Sequence, residues 1–117
     1  MNAGGTLMES APLFAALGDP TRLELVSRLS ERGPQSIARL TAGLHCSRQA
    51  VTKHLRVLAG AGLARSLRSG RETRWEIEAS QLEVARRYLD MISQRWDERL
   101  AALEQHLETP KPVDPRT

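Results

Sequence analysis

Hydrophobic residues recur every three or four positions along most of the chain, which is the spacing of one face of an α-helix. The first such segment is short, and it is predicted to begin at Ser10 or Ala11 with Pro12 in its first turn. The second begins at Asp19, a helix-capping residue followed by a proline, and runs to Gly33. These patterns predict two helices in the first third of the chain.

Two shorter helical segments follow the break at Gly33. A third helix of about two turns is predicted from Ile37 to Gly43 or shortly beyond it. The fourth helix begins at Ser47, which is suited to cap it. Its apolar stripe consists of Val51, Leu55 and Leu58. Two short helices separated by about four residues predict a helix-turn-helix.

The hydrophobic spacing then changes from helical to alternating, which is typical of β-strands. Alternation begins at Leu63 and ends near Ile77, and Ser69-Gly70 lies between its two halves. A flexible glycine is what a tight turn between antiparallel strands needs. Residues 63–78 are therefore predicted to form a β-hairpin, called the wing below.

A long helix is predicted from Ser80, its expected N-cap, to about Glu108. Its apolar residues recur at spacings of three and four: Leu82, Ala85, Leu89, Ile92, Trp96, Leu100, Leu103 and Leu107. Such a helix is too long to be covered by so small a body, so part of it is expected to pack on a second copy of the chain. Trp96 is its expected anchor, although a ligand pocket at Trp96 is an alternative.

These elements predict a mainly α protein with a small β-hairpin, containing five helices and a wing. One folded domain is expected over residues 10–108 of the 117, including a dimerisation helix at about 80–108. Residues 1–9 and 109–117 are expected to be flexible tails, since the latter hold three prolines and little to bury. With no apolar run of membrane-spanning length and one cysteine, the protein is predicted to be cytoplasmic.

The positive charge of the chain is concentrated in one segment. The net charge is only +3, but residues 47–74 hold seven basic residues and one acidic residue, whereas the remainder carries a net charge of −3. A polyanion such as double-stranded DNA is the partner that this asymmetry favours. A charged helix face taken alone is more often merely solvated.

The residues expected to contact DNA lie on the fourth helix and the wing. Arginine pairs with guanine, glutamine with adenine, and threonine contacts a phosphate or a thymine methyl. Base readout is therefore assigned to Arg48, Gln49 and Thr52. Ser47 and Lys53 are assigned to phosphates, and Arg56 lies on the same exposed face. At the tip of the wing, Arg68 and Arg71 are assigned to the minor groove or flanking phosphates, while Arg65 and Arg74 extend the basic stripe along the strands.

The segments ALGDPTRLELV and SRQAVTKHLRVLAGAGL, followed by a short wing, resemble the ArsR-type (ArsR/SmtB) winged-helix transcriptional regulators. The resemblance covers about Leu13 to Leu107. It implies a homodimer formed by the first and last helices that binds an inverted-repeat operator and usually represses transcription. The predicted dimer interface comprises Leu13, Phe14, Leu89, Ile92, Trp96, Leu100 and Leu103.

Metal sensing, which is common in that family, is not predicted for this chain. Where the family's paired cysteines would lie, the sequence has Ile37, Ala38, Arg39 and Leu40, and the last helix offers one histidine, His106. Tetrahedral zinc needs about four ligands. The chain resembles the branch without metal ligands, so no cofactor is predicted and the inducing signal is left open.

Two further residues allow two interpretations each. Cys46 precedes the fourth helix, where a helix N-terminus favours a thiolate and hence a redox switch, but a packing cysteine is the favoured interpretation. His54 is placed to touch DNA or to make a local hydrogen bond, and the structural role is favoured.

Two other functions are alternatives to DNA binding. A protein-interaction module would use the long helix as its docking surface. An enzyme is not predicted, because no nucleophile-base grouping, paired acids or phosphate loop occurs at usable spacing.

Overall fold

The computed structural model describes residues 3–108, with side chains over 10–107. The predicted C-terminal tail at 109–117 and the first two residues of the predicted N-terminal tail lie outside the described residues. Two units make up the chain, the first ending at Ala85 and the second beginning at Arg86. The predicted domain limits of 10 and 108 stay predictions.

Within residues 3–108, five helices and three strands form in the order expected for a helix-turn-helix with a wing. The helices are α1 (Ala3–Leu17), α2 (Pro20–Arg32), α3 (Ile37–Thr41), α4 (Arg48–Gly60) and α5 (Ala79–Glu108). The strands are β1 (Gln35–Ser36), β2 (Ala64–Ser69) and β3 (Glu72–Ile77). The predicted fold class, mainly helical with a small hairpin, is confirmed.

Side-chain caps set the starts of the central helices, as the sequence predicts. The Asp19 carboxylate accepts a hydrogen bond from the backbone N–H of Arg22 at 3.0 Å at the start of α2. Ser47 Oγ accepts from the backbone N–H of Ala50 at 3.1 Å at the start of α4. Each cap satisfies an amide that the helix itself leaves without a partner, which fixes the residue at which the helix begins.

The three strands form one antiparallel sheet in the order β1-β3-β2. Ser69 pairs with Glu72, so the turn of the wing consists of Gly70 and Arg71, one residue later than Ser69-Gly70. Gly70 has a φ of 63°, a left-handed conformation that glycine adopts without strain. Strand β1 was not predicted, because two residues are too few to show an alternating pattern.

The core of the first unit lies where the apolar stripes of the helices meet the inner face of the sheet. Trp75 on β3 is 8% exposed and closes the core from the sheet side. The other buried apolar residues come from α1, α2, α3, α4, the start of β2 and the start of α5: Leu13, Ala16, Leu25, Leu29, Leu40, Val51, Leu55, Leu58, Leu63, Ala64 and Ala85. This packing holds α4 against the body, with its polar face outward.

Three helix boundaries differ from the prediction. α1 begins at Ala3 and contains Pro12 in its interior, so placing Pro12 in the first turn was wrong; the preference of proline for that position is only a tendency. α3 ends at Thr41, because Ala42 is extended and Gly43 has a φ of 85°. α5 begins at Ala79, so Ser80 lies in its first turn and donates to the Glu78 carboxylate at 3.4 Å.

The second unit contains the remainder of α5. Its apolar residues face solvent in the single chain: Leu89, Ile92, Trp96, Leu100, Leu103 and Leu107 are between 42% and 72% exposed. We call these six residues the α5 seam. Across the described part of the chain, no helix is both long enough and apolar enough to cross a bilayer.

Candidate nucleic-acid interface

Helix α4 brings most of its predicted DNA-binding residues to one exposed face. Because Val51, Leu55 and Leu58 are fully buried, the intervening polar side chains are turned outward. A shallow groove on this face is lined by Ser47, Gln49, Ala50, Thr52, Lys53 and Arg56. Arg48 is exposed at the first position of the helix, outside the residues that line the groove.

Hydrogen bonds within α4 limit what two of these hydroxyl groups offer a ligand. Thr52 Oγ1 donates to the carbonyl oxygen of Arg48 at 2.9 Å, which leaves its methyl group and its lone pairs for contact. Ser47 Oγ instead accepts from the backbone N–H of Ala50, so its own O–H remains available to donate. Thr52 therefore suits a thymine methyl or a base amino group, and Ser47 suits a phosphate oxygen.

The wing arginines differ in their partners. Arg68 donates from Nε to the carbonyl oxygen of Gly70 at 3.2 Å, and Arg71 lies exposed in the turn. Neither has an acidic partner among the residues that the structure describes. Arg74, by contrast, forms an ion pair with Glu72 at 3.0 Å. The positive charge of the wing is therefore most available near its tip.

Arg65 is the most strongly paired residue of the basic segment. Its Nε lies 2.6 Å from Glu76 Oε2, and its NH1 group lies 3.4 Å from Glu78 Oε2. The hydrogen bond to Glu76 raises the pKa of Arg65 above its ordinary value, with the charges of Glu76 and Glu78 adding to it. The net charge of +6 counted over residues 47–74 thus overstates the charge that is free to meet an anion.

His54 lies on α4 but faces α2. Its side chain is half-buried, and ring Nδ1 lies 3.2 Å from an Arg22 guanidinium nitrogen and 3.8 Å from the Asp19 carboxylate. The structural role predicted for His54 agrees with this position, although its partners are distant in sequence. Arg22 therefore connects the cap of α2 to the side of α4, a role that no local pattern indicated.

Arg28 is a second residue that the sequence did not single out. Its guanidinium donates to the carbonyl oxygens of Leu40 at 3.1 Å and Ala42 at 2.7 Å, and it pairs with Glu24 at 3.1 Å. These carbonyls belong to the end of α3 and the turn that leads to α4. Arg28 therefore fixes the turn of the helix-turn-helix from α2, and a basic residue within the α2 pattern carries no signal of this role.

The residues predicted at the dimer interface fall into two groups. Leu13 is only 2% exposed within its own chain, so its side chain offers almost no surface to a second copy, and Phe14 is half-buried. The five α5 residues predicted with them all belong to the exposed seam.

Cys46 is half-buried, and no group of three or more potential metal ligands occurs within residues 3–108.

Comparison with known proteins assigns this arrangement to a family. Residues 17–66 match the family model described as a helix-turn-helix domain. An ArsR-like transcriptional regulator from Rhodococcus sp. RHA1 is 42% identical, with a TM-score of 0.74 over 91% of this chain and 99% of that one. The chain belongs to the ArsR-type winged helix-turn-helix transcriptional regulators.

Other relatives of this ArsR-type regulator agree with the assignment. The HTH-type transcriptional regulator YuzN of Bacillus subtilis is 43% identical over 50% of this chain and 71% of its own length. The antimony-specific transcriptional repressor AntR is 26% identical, with a TM-score of 0.55 over 81% of this chain and 83% of that one. The expected fold, and the expectation that the protein is a helix-turn-helix transcriptional regulator, are thus confirmed.

Proposed function

We propose that this ArsR-type regulator represses transcription by binding an inverted-repeat DNA site as a homodimer. The observation that carries the proposal is the exposed polar face of α4, where Gln49, Thr52, Lys53 and Arg56 line one groove above a fully buried apolar stripe. A helix presented in this way fits the major groove of B-DNA. Repression is the role named for the relative AntR.

Base readout is assigned to three residues at the start of α4. Arg48 has a fork of donors that matches guanine, and Gln49 pairs with adenine. Thr52, whose hydroxyl is engaged by Arg48, contributes its methyl group to a thymine or its lone pairs to a base amino group. These contacts discriminate between sequences.

Affinity without sequence preference is assigned to the phosphate contacts. Ser47, Lys53 and Arg56 meet the backbone beside the major groove, while Arg68 and Arg71 meet the minor groove or flanking phosphates at the tip of the wing. Arg74 joins them only when a phosphate competes with Glu72 for its guanidinium.

The α5 seam supplies the proposed contact between two copies. Six large apolar side chains, each at least 42% exposed, form a stripe along one helix. Burial of such a stripe stabilises an association, and a symmetric pair of chains presents two copies of α4 to one inverted repeat. Metal sensing forms no part of the proposal, since the chain has one cysteine and three histidines.

Selection of bound duplexes from a random DNA pool tests the proposal. The expected result is a palindromic site whose half-sites are about one helical turn apart. Arg48→Ala should then lose the preference for one base pair in each half-site, whereas Lys53→Ala should weaken selected and random duplexes by the same factor. Equal losses on both duplexes for both variants would contradict the division between base and phosphate contacts.

Failure to retain any duplex at low salt would reject DNA binding itself. The α5 seam would then favour the alternative function, docking of another protein. Measuring the molecular mass of the same preparation tests the homodimer independently of DNA binding, because the homodimer is expected whether or not DNA is added.

A further inference from the structure

A second group of arginines lies at the β1 edge of the sheet, where two arginines from outside the segment of highest positive charge lie near Arg74. Arg39 on α3 lines two neighbouring depressions of the surface. One is shared with Arg32, Gln35 and Ala42. The other is shared with Pro34, Gln35, Ser36, Glu72 and Arg74. We call Arg32, Arg39 and Arg74 the β1-edge arginines.

Three separate elements bring the β1-edge arginines together. Arg32 is the last residue of α2, and Arg39 is the third residue of α3. Arg74 lies on β3, directly opposite Ser36 in the short ladder between β1 and β3. The two-residue strand β1 therefore positions the ends of two helices beside the base of the wing. No periodic pattern in the sequence shows this proximity.

The charge of this surface is not cancelled by its neighbours. Glu72 is the acidic residue in the two depressions, and its carboxylate is engaged by Arg74 at 3.0 Å. Arg32 and Arg39 are exposed, and neither has an acidic partner within the described part of the chain. Three guanidinium groups against one carboxylate leave a positive surface without a counterion from the protein.

The surface is continuous with the proposed DNA interface. Arg74, assigned above to the wing contact, lines the same depression as Arg39. Guanidinium groups bind phosphate oxygens through two parallel N–H donors. A duplex whose minor groove meets the wing therefore has phosphates available to arginines on the β1 side of β3.

We propose that the β1-edge arginines bind the DNA backbone outside the bases read by α4, with Arg39 as the principal contact. This inference rests on the proposed function and extends its footprint from α4 and the wing to α3 and the end of α2. The contacts carry no sequence information, because phosphates are the same at every base pair. They add affinity and salt dependence.

The salt dependence of binding tests the inference. The probes are the duplex enriched from the random pool and a mixed-sequence duplex of equal length, titrated with wild type and with Arg39→Ala. Each lost phosphate contact should reduce the slope of log affinity against log salt by about 0.9. The ratio of wild-type affinity to Arg39→Ala affinity should therefore fall about threefold per lost contact between about 50 and 200 mM salt, equally on both probes.

Two further variants make the measurement specific. Arg39→Lys keeps a positive charge and should recover most of the slope. Arg95→Ala, on the exposed surface of α5, removes one charge without touching the β1 edge and should keep the wild-type slope. Circular dichroism confirms that each variant is folded, which is expected because the Arg39 side chain is exposed.

The outcomes distinguish this inference from the function on which it rests. If Arg39→Ala keeps the wild-type slope and affinity while Lys53→Ala loses both, the inference is overturned and DNA binding by α4 stands. If wild type retains neither probe, the proposed function fails first. A loss for Arg39→Ala on the enriched duplex alone would make Arg39 a base contact and would also overturn the inference.

Discussion

Arg65 and Arg68 lie three residues apart on β2, yet their guanidinium groups have different surroundings. Arg65 is held by Glu76 and Glu78, whereas Arg68 donates only to the carbonyl oxygen of Gly70. An arginine that is already paired gains less from a phosphate, because the phosphate must displace a carboxylate or accept its repulsion. The number of basic residues in a segment is therefore a poor measure of its attraction for DNA.

The first prediction follows from this difference. Arg68→Ala should weaken binding to any duplex and reduce the salt slope by about 0.9 per chain. Arg65→Ala should change the salt slope by much less. Glu76 and Glu78 already neutralise the charge of Arg65, so that charge contributes little to phosphate binding. Fluorescence anisotropy with a labelled duplex at several salt concentrations measures both. Equal salt slopes for the two variants would show that the ion pair with Glu76 does not reduce the contribution of Arg65 to DNA binding.

The second prediction concerns the cap of α2. The hydrogen bond from the backbone N–H of Arg22 holds the pKa of Asp19 below its ordinary value of 3.8. A carboxylate with a depressed pKa in the folded state stabilises the fold above its unfolded pKa, and the contribution is lost as the pH falls through the folded pKa. Asp19→Ala should therefore lower Tm at neutral pH, and its difference from wild type should narrow below pH 3.8.

Thermal unfolding followed by circular dichroism at the two pH values measures this effect. Asp19→Asn is the matched control, because an asparagine caps a helix nearly as well but does not titrate. Its Tm should lie nearer to wild type than that of Asp19→Ala at neutral pH. If the difference in Tm between wild type and Asp19→Ala is the same at both pH values, ionisation of Asp19 does not contribute to the stability of the fold.

Local signals at single residues were enough to predict the caps of α2 and α4, but not the residues that join one helix to another. Asp19 and Ser47 each bond to an amide three residues ahead, so their role is visible in a short stretch of sequence. His54 and Arg22 are 32 residues apart, and Arg28 reaches carbonyls 12 and 14 residues away. Such contacts depend on how helices pack, which one sequence does not show.

Among the elements, α4 shows most clearly how burial and exposure divide a helix. Val51, Leu55 and Leu58 are 0% exposed, while the polar groove lies on the other side. Hydrophobic spacing predicts such a helix because its period and its caps agree. It did not predict the extent of α1, where Pro12 lies inside the helix, or the two-residue β1, which depends on pairing with β3.

The third prediction tests the anchoring of α4. Leu55→Ala removes a fully buried side chain and should lower the free energy of unfolding by about 2–5 kcal/mol, since it leaves a cavity in a packed core. Val57→Ala, two residues away and 44% exposed, is the control and should change it by less than about 0.5 kcal/mol. Urea unfolding at equal protein concentration measures both. Similar values for the two variants would argue against the burial of Leu55.

At the scale of the whole molecule, the main proposal is the homodimer. The α5 seam exposes six large apolar residues, whereas a soluble monomer usually scatters such residues singly. Sequence spacing predicted this stripe correctly, because a helix of 30 residues repeats its pattern many times. It could not show that Leu13, also predicted at the dimer interface, is almost entirely buried in its own chain.

The fourth prediction places a charge in the seam. Leu100→Asp should convert the dimer to a monomer in sedimentation equilibrium, because a carboxylate is costly to bury between apolar side chains. Affinity for the palindromic duplex should fall with it, while affinity for a single half-site should not change. Glu98→Ala, on the opposite face of α5 by helical geometry, should keep both properties. If the Leu100→Asp variant remained dimeric, the dimer interface would not include this part of the α5 seam.

The two tryptophans differ in exposure, with Trp75 at 8% and Trp96 at 60%. Indole emission shifts to shorter wavelength when water is excluded, so each ring reports on a different event without any added label. In a Trp75→Phe variant, the remaining fluorescence comes from α5 and should shift to the blue as the protein concentration rises. In a Trp96→Phe variant, it comes from β3 and should instead follow unfolding of the core, so association and folding can be recorded separately in one spectrometer.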